Sequence, residues 1–333
     1  MMKIFKLIFA VFFPLLMVAC GNRETPANKK DEEVIPEGSV KVSFRLMSFN
    51  ILAIDGDVEG REWETVRKSA CGQMLQETQP DILCVQECRR EQLQYLRTVL
   101  PQHTFFQYAK DGVKASGYES VEECNDDAIF KNKGHRDVIA VRTDRFERLG
   151  WGRYWFSDTP DVSSYVGERF IQGGTPKLSL WLKLKEKESG MPFYVWDTHF
   201  FPNVESDDAR LACAQMSVER MKAQCADNVP VFFCGDLNLK YENTALSPLK
   251  SWMQGARTTA KKTDGSPTYT GFRTNAATWE PLTTFSIATL LRLSIKSSIL
   301  RSRAAHPSAP IISPSIRTSM SIMSLKKTKN FEI

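Results

Sequence analysis

The chain has 333 residues, 42% of them hydrophobic, enough to bury one large core or two small ones, which excludes a wholly disordered or fibrous protein. Its formal net charge of +5 is unevenly placed: Lys3 and Lys6 lead the chain, residues 281–333 carry eight bases and one acid, and residues 20–280 hold 34 bases and 38 acids. The body is therefore acidic, which disfavours the duplex-gripping surfaces that work by neutralising many phosphates.

The first 20 residues, "MMKIFKLIFAVFFPLLMVAC", place two lysines before an uncharged apolar run and close on small residues at a cysteine. This is the pattern of an export leader. The run spans about 13 residues, short of the roughly 20 that cross a bilayer as a helix. "LMVAC" resembles the lipobox of bacterial lipoproteins, which implies that Cys20 is lipidated and becomes the mature first residue. Residues 20–40 are polar, with two prolines and "KKDEE", and read as a flexible tether.

"VKVSFRLMSFNIL" predicts a first strand ending at Asn50. Trp63, Val66, Ala70, Met74 and Leu75 recur at helical spacing over 61–78, and Pro80 stops that helix. "PDILCVQE" is a short buried strand closing on Glu87, and a helix over 89–99 leads to the strand "HTFFQYA". Residues 109–133 are polar and loop-like, "RDVIAVR" resumes a buried strand, and a hairpin or short strand is expected near "RYWFS". "LSLWLKLK" alternates cleanly and pairs with "GMPFYVWDTHF" across a turn containing Gly190. A helix over 205–226, the strand "VPVFFCGDLN" and a short strand or loop at "SPTYTGF" complete the series. Such an order predicts a two-layered sheet flanked by helices.

Seven cysteines follow Cys20 without the paired spacing of zinc sites. Cys84 and Cys234 lie in apolar strand runs and read as small buried hydrophobes. A disulfide among Cys71, Cys88, Cys124, Cys213 and Cys225 is compatible with an exported protein, with no pairing indicated.

Polar groups of one kind recur where apolar strands run out. Asn50 ends the first, Glu87 the second, His199 follows "YVWDT", and Asp236 with Asn238 ends another. Each alone has a plain alternative, since Asn and Asp end strands routinely as turn formers. Together they suit metal-assisted hydrolysis of a phosphoester. Carboxylate and amide oxygens suit a hard cation such as Mg²⁺, which binds substrate phosphate oxygens. Asp236 is placed to orient or deprotonate a water, Asn238 to hold that water or a phosphate oxygen, and His199 to donate to the phosphate.

"MSFNI", "VQE", "THF" and "GDLN", in that order, resemble the signature of the endonuclease/exonuclease/phosphatase superfamily over about residues 42–280, and "DRFERLGWGRYWFSDTPDV" is similar to a segment of its secreted bacterial members. The resemblance implies a deoxyribonuclease I-like α/β fold, a four-layered α/β sandwich of two packed mixed β-sheets flanked by helices. It implies Mg²⁺-dependent phosphoester hydrolysis, with Mn²⁺ the other candidate cation. Glu87 would be the metal ligand and Asn50 a partner of the metal shell. Asp236 and Asn238 would orient the water, and His199 would contact the phosphate. Arg136, heading "RDVIAV", would also face the phosphate, against the competing reading of a solvated strand-end arginine.

The same pattern requires a final Ser-Asp-His near the C-terminus, and this chain has none: its last Asp is Asp264, and His306 sits in "AAHPSAP". Residues 281–331 contain no acid and are crowded with Ser, Ile, Arg and Pro. A disordered basic tail and a divergent extension are two readings. The favoured one is a shift of reading frame near Thr284, because codons for Ile311–Arg317 read one base earlier can encode Tyr-Ile-Ser-Glu-His-Pro. The expected division is a leader over 1–19, a tether over 20–40, the superfamily-like domain over 41–283 and an aberrant tail over 284–333, with activity impaired in this copy. The expected product of export is a monomer held by its lipid at a bacterial membrane, on the periplasmic or the surface side. It would act on a small phosphoester or a lipid or sugar phosphate, with nucleic acid the less favoured substrate. A non-catalytic phosphoester-binding lipoprotein is the alternative.

Overall fold

The structure, a computed structural model, describes residues 3–9, 39–57, 59–109, 122–123, 136–161, 168–170, 177–202, 207–225, 229–259, 286–288, 295–301 and 317–326. In chain order the first elements are β1 (Lys3–Phe9) and β2 (Ser39–Asn50), then a π-helical turn (Trp63–Arg67) running into α1 (Lys68–Thr78). Next come β3 (Ile82–Cys88), α2 (Arg90–Val99), β4 (His103–Ala109), β5 (Glu122–Glu123), β6 (Arg136–Arg142) and β7 (Phe146–Trp155). They are followed by β8 (Leu178–Glu186), β9 (Pro192–His199), α3 (Asp208–Gln224) and β10 (Val231–Asp236). The last are α4 (Ser247–Trp252), β11 (Gln254–Gly255), α5 (Ala256–Thr259), β12 (Ser286–Ala288), β13 (Ile295–Arg301) and β14 (Arg317–Lys326).

Two mixed sheets form, ordered β13-β1-β14-β2-β3-β6-β4-β5 and β11-β12-β10-β9-β8-β7. Because side chains alternate along a strand, each sheet serves two cores at once. Val42, Phe44, Leu46, Ile82, Cys84 and Ile139 face inward from the first sheet and meet Leu178, Leu180, Leu182, Leu184, Phe193, Val195 and Phe232 of the second. Phe44 stacks on Phe193 with ring centroids 5.0 Å apart and meets Phe232 edge-on at 5.3 Å. The alternate residues Met47, Phe49, Leu83 and Val85 point outward and bury Trp63, Met74, Leu75, Leu93 and Leu96 of the helical layer. On the far side Tyr194, Trp196, Val231 and Phe233 are covered by Ala209, Ala212, Met216 and Met221 of α3 and by Leu249 of α4. Three apolar interfaces between four layers make the α/β sandwich of the deoxyribonuclease I-like type.

The predicted helix over 61–78 divides: its first five residues are a π-helical turn, in which Arg67 reaches back to the carbonyls of Ile51 and Leu52 at 2.7 and 2.8 Å and pairs with Asp57. Gln79, left-handed at φ 46°, ends α1 ahead of Pro80. The strand expected near "RYWFS" is longer, beginning at Phe146 and pairing with β8 through a bulge at Arg148/Gly150. The tail, which lacked strand punctuation in sequence, supplies β12, β13 and β14, and residues 3–9 lie between β13 and β14. "SPTYTGF" lies outside the described residues. Cys71, Cys84, Cys88, Cys213, Cys225 and Cys234 are buried and in no disulfide among the described residues, and Cys124 is outside them. Among the described residues no helix is long and apolar enough to cross a membrane.

Candidate active site

Strand direction brings the predicted residues together. β2 runs parallel to β3 with Asn50 opposite Gln86, and β10 runs parallel to β9 with Asp236 opposite His199. Both parallel pairs therefore expose their C-terminal ends at one edge of the sandwich. Across that edge the Asn50 side chain joins the sheets, its Nδ2 donating to Glu87 Oε1 at 3.0 Å and to Asp236 Oδ2 at 2.8 Å. His199, 1% exposed at its side chain, places Nε2 3.9 Å from Glu87 Oε1 and 4.0 Å from Asp236 Oδ2.

Backbone conformation aims these groups. The β3–β6 register shifts between Val85 and Cys88, and Glu87 within that bulge has φ +62°. A bulge turns a side chain away from the alternation of its strand, and here it sends Glu87 to the cleft, where Oε2 accepts from the Ala53 backbone N–H at 3.3 Å. Leu52 and Asn238 are also left-handed, at φ +55° and +50°. Of the four non-glycine residues with positive φ among the described residues, three line this cleft; the fourth is the helix cap Gln79. Left-handed backbone in such residues is costly and collects at functional sites. Gly235 answers a different need. At φ +144° it runs so near β9 that a Cβ would stand 1.9 Å from the Thr198 carbonyl oxygen, so only glycine lets β10 deliver Asp236 beside His199.

Asp236 is held at both oxygens. Oδ1 accepts from the Asn238 N–H at 3.0 Å and Oδ2 from Asn50. Burial raises its carboxyl above the ordinary 3.8 and the Glu87 charge adds to this, while the Asn50 and Asn238 bonds and the Lys177 ammonium pull it down. The Asn238 amide donates to the Phe200 carbonyl at 3.0 Å, so one of its donors anchors the loop after β9. Arg136 opens β6 in register with Cys88, one residue past Glu87; its side chain lies outside the described residues.

Lys177 was not legible as a site residue. It is buried, 5% exposed, with Nζ 3.2 Å from His199 Nε2 and 3.4 Å from Nδ1. In "GTPKLSLW" it looks like a solvated lysine before a strand; only the antiparallel pairing of β8 with β9 brings it to the imidazole. Beneath the cleft a polar rung crosses the core: Gln86 Nε2 donates to Asp197 Oδ1 at 2.6 Å and to Ser48 Oγ at 3.2 Å.

Comparison with known proteins agrees with the fold. An endonuclease/exonuclease/phosphatase from Bacteroides vulgatus is 23% identical with a TM-score of 0.62, covering 75% of this chain and 87% of its own. A mannosyl-6-phosphatase from Bacteroides thetaiotaomicron is 20% identical with a TM-score of 0.63, covering 85% of this chain and all of its own. The uncharacterized protein L388 of Acanthamoeba polyphaga mimivirus is 25% identical over 182 residues, 53% of this chain, and the match spans 59% of that relative's length. The model of the Endonuclease/Exonuclease/phosphatase family matches residues 47–285, which span Glu87, His199, Asp236 and Asn238 together with Asn50, and the chain belongs to that family.

Proposed function

We propose that the chain is a Mg²⁺-dependent phosphoesterase acting on a small phosphomonoester or phosphodiester. Members of the family hydrolyse phosphoesters and generally depend on a divalent metal. The observation that carries the reading is the Asn50 amide bridging Glu87 and Asp236 beside His199. The Glu87 and Asp236 carboxylates are hard oxygen donors that fit Mg²⁺ or Mn²⁺, with Glu87 the principal ligand and Asn50, whose amide N–H groups hold both carboxylates, supporting it. A bound cation would offset charge building on the phosphate and the leaving oxygen.

The protein's own groups do the rest. Asp236, fixed by Asn50 and the Asn238 N–H, orients a water and takes its proton, which an acid raised by burial does better than an ordinary carboxylate. Lys177 presents positive charge and His199 a ring N–H to the phosphate oxygens, stabilisation that is strong where water is excluded. Arg136 heads the neighbouring strand and is a further candidate for the phosphate.

The acidic body favours a compact phosphoester over a polyanion, and a phosphorylated sugar is the substrate to test first, since one solved relative is a mannosyl-6-phosphatase. Export with cleavage before Cys20, which would remove β1, and lipidation there would place the enzyme on a membrane facing such substrates; mass analysis of the mature N-terminus tests this. Phosphosugars, lipid head groups and oligonucleotides are assayed with Mg²⁺, with Mn²⁺ and with chelator, alongside Glu87→Gln. Hydrolysis abolished by chelator and reduced at least about 100-fold by the substitution is expected; hydrolysis indifferent to both defeats the proposal. The missing Ser-Asp-His favours a second reading, a cleft that binds phosphoesters without turning them over. In that case Glu87→Gln leaves binding largely intact and no variant hydrolyses.

A further inference from the structure

One layer below the cleft, between the sheets, Cys84 of β3, Asp197 of β9 and Cys234 of β10 point at one another. All three are 0% exposed, and one ligand atom from each lies within 4.8 Å of the other two. Gln86 fixes the carboxylate by donating to Asp197 Oδ1, as outer groups orient a metal's ligands. Asp137 of β6 is on the same inward face, also 0% exposed.

We propose that Cys84, Asp197 and Cys234 form a second cation site, for a thiophilic divalent ion such as Zn²⁺, that braces the two sheets beneath the cleft. Two thiolates and a carboxylate are the donors of zinc, whereas the oxygen-rich cleft above suits magnesium. Binding releases both thiol protons to solvent and changes no oxidation state. With its proton on, Cys234 donates to the Trp196 carbonyl at 3.4 Å, and burial with neighbouring Cys234, Asp197 and Asp137 raises the Cys84 thiol well above its usual range. Because all three ligands are fully buried, uptake of the ion is coupled to closure of the sheets. A disulfide is the poorer use of this pair. Packed sheets stand about 10 Å apart, and disulfide-bonded Cα atoms lie about 5.5–6 Å apart.

The full chain is refolded from denaturant with Co²⁺ as the spectroscopic probe. A thiolate-to-cobalt charge-transfer band saturating at about one ion per chain is expected, lost in Cys84→Ser and Cys234→Ser and kept in Glu87→Gln. Retention in Glu87→Gln separates this site from the proposed hydrolase, whose activity that variant removes. No band in the wild-type chain, a band surviving both serine substitutions, or a Cys84–Cys234 disulfide found by mass spectrometry overturns the proposal. Should a serine variant not fold, the wild-type spectrum decides.

Discussion

The side-chain amide of Asn50 donates to Asp236 Oδ2 at 2.8 Å across 186 positions of sequence, tying the end of β2 to the end of β10. The bond joins the two sheets where both carboxylates of the cleft are in reach of one side chain. It also pulls the Asp236 carboxyl down against the burial that raises it, and from that balance the first expectation follows.

Burial raises the Asp236 carboxyl and the Asn50 bond lowers it. Asn50→Ala removes a lowering contribution, so the acid limb of the kcat/KM profile moves to higher pH. The profile is read for both proteins at saturating Mg²⁺. A limb in the same place in both refutes the coupling.

Lys177 also lowers Asp236, and its ammonium meets both His199 ring nitrogens. Lys177→Met keeps much of the volume and deletes the charge. We expect kcat/KM to fall about 10²–10³-fold, as on loss of one stabilising donor, with the acid limb again displaced upward. A fall in rate with an unmoved limb would mark Lys177 as a packing residue.

Stability carries the same signature. A raised carboxyl means the folded chain holds this proton more tightly than the unfolded one, whose aspartate titrates at its ordinary 3.8. The associated stability is fully present below 3.8 and is lost as pH rises through the folded value. The unfolding free energy of wild type minus that of Asp236→Asn therefore decreases as pH is raised from the region of 3.8. Urea unfolding of both in chelator measures it, and a difference that grows with pH contradicts the assignment.

Gly235→Ala forces a methyl group against the Thr198 carbonyl at a backbone angle hostile to L-residues. A loss of about 2–4 kcal/mol is expected from strain of this kind, together with loss of activity because Asp236 moves with the strand. Wild-type stability in urea would show that β9 and β10 can separate at no cost.

Much of the cleft was readable from residues alone because strand ends announce themselves. Asn50, Glu87, His199 and Asp236 each interrupt an apolar run, and parallel pairing then gathers them. The helices over 90–99 and 208–224 likewise lay where spacing and punctuation set them, and the one expected over 61–78 ends as set but opens with a π-helical turn. What could not be read depends on register and backbone twist. The bulge that turns Glu87 is invisible in "VQE". Lys177 becomes part of the site only through a strand 22 positions later. Cys84 and Cys234 read as filler, and their convergence on Asp197 needs both sheets in place. The strands β12 to β14 come from a segment whose composition offered no periodic cue.

Leu52, Glu87 and Asn238 hold the cleft in left-handed backbone, each at about 1–3 kcal/mol. A glycine at any of them would relax the chain and toughen it against heat, while dissolving the geometry that presents the reactive groups. At these three positions thermal hardiness and the proposed turnover are opposed aims, so variants gathered for endurance alone will drift toward well-folded, silent proteins.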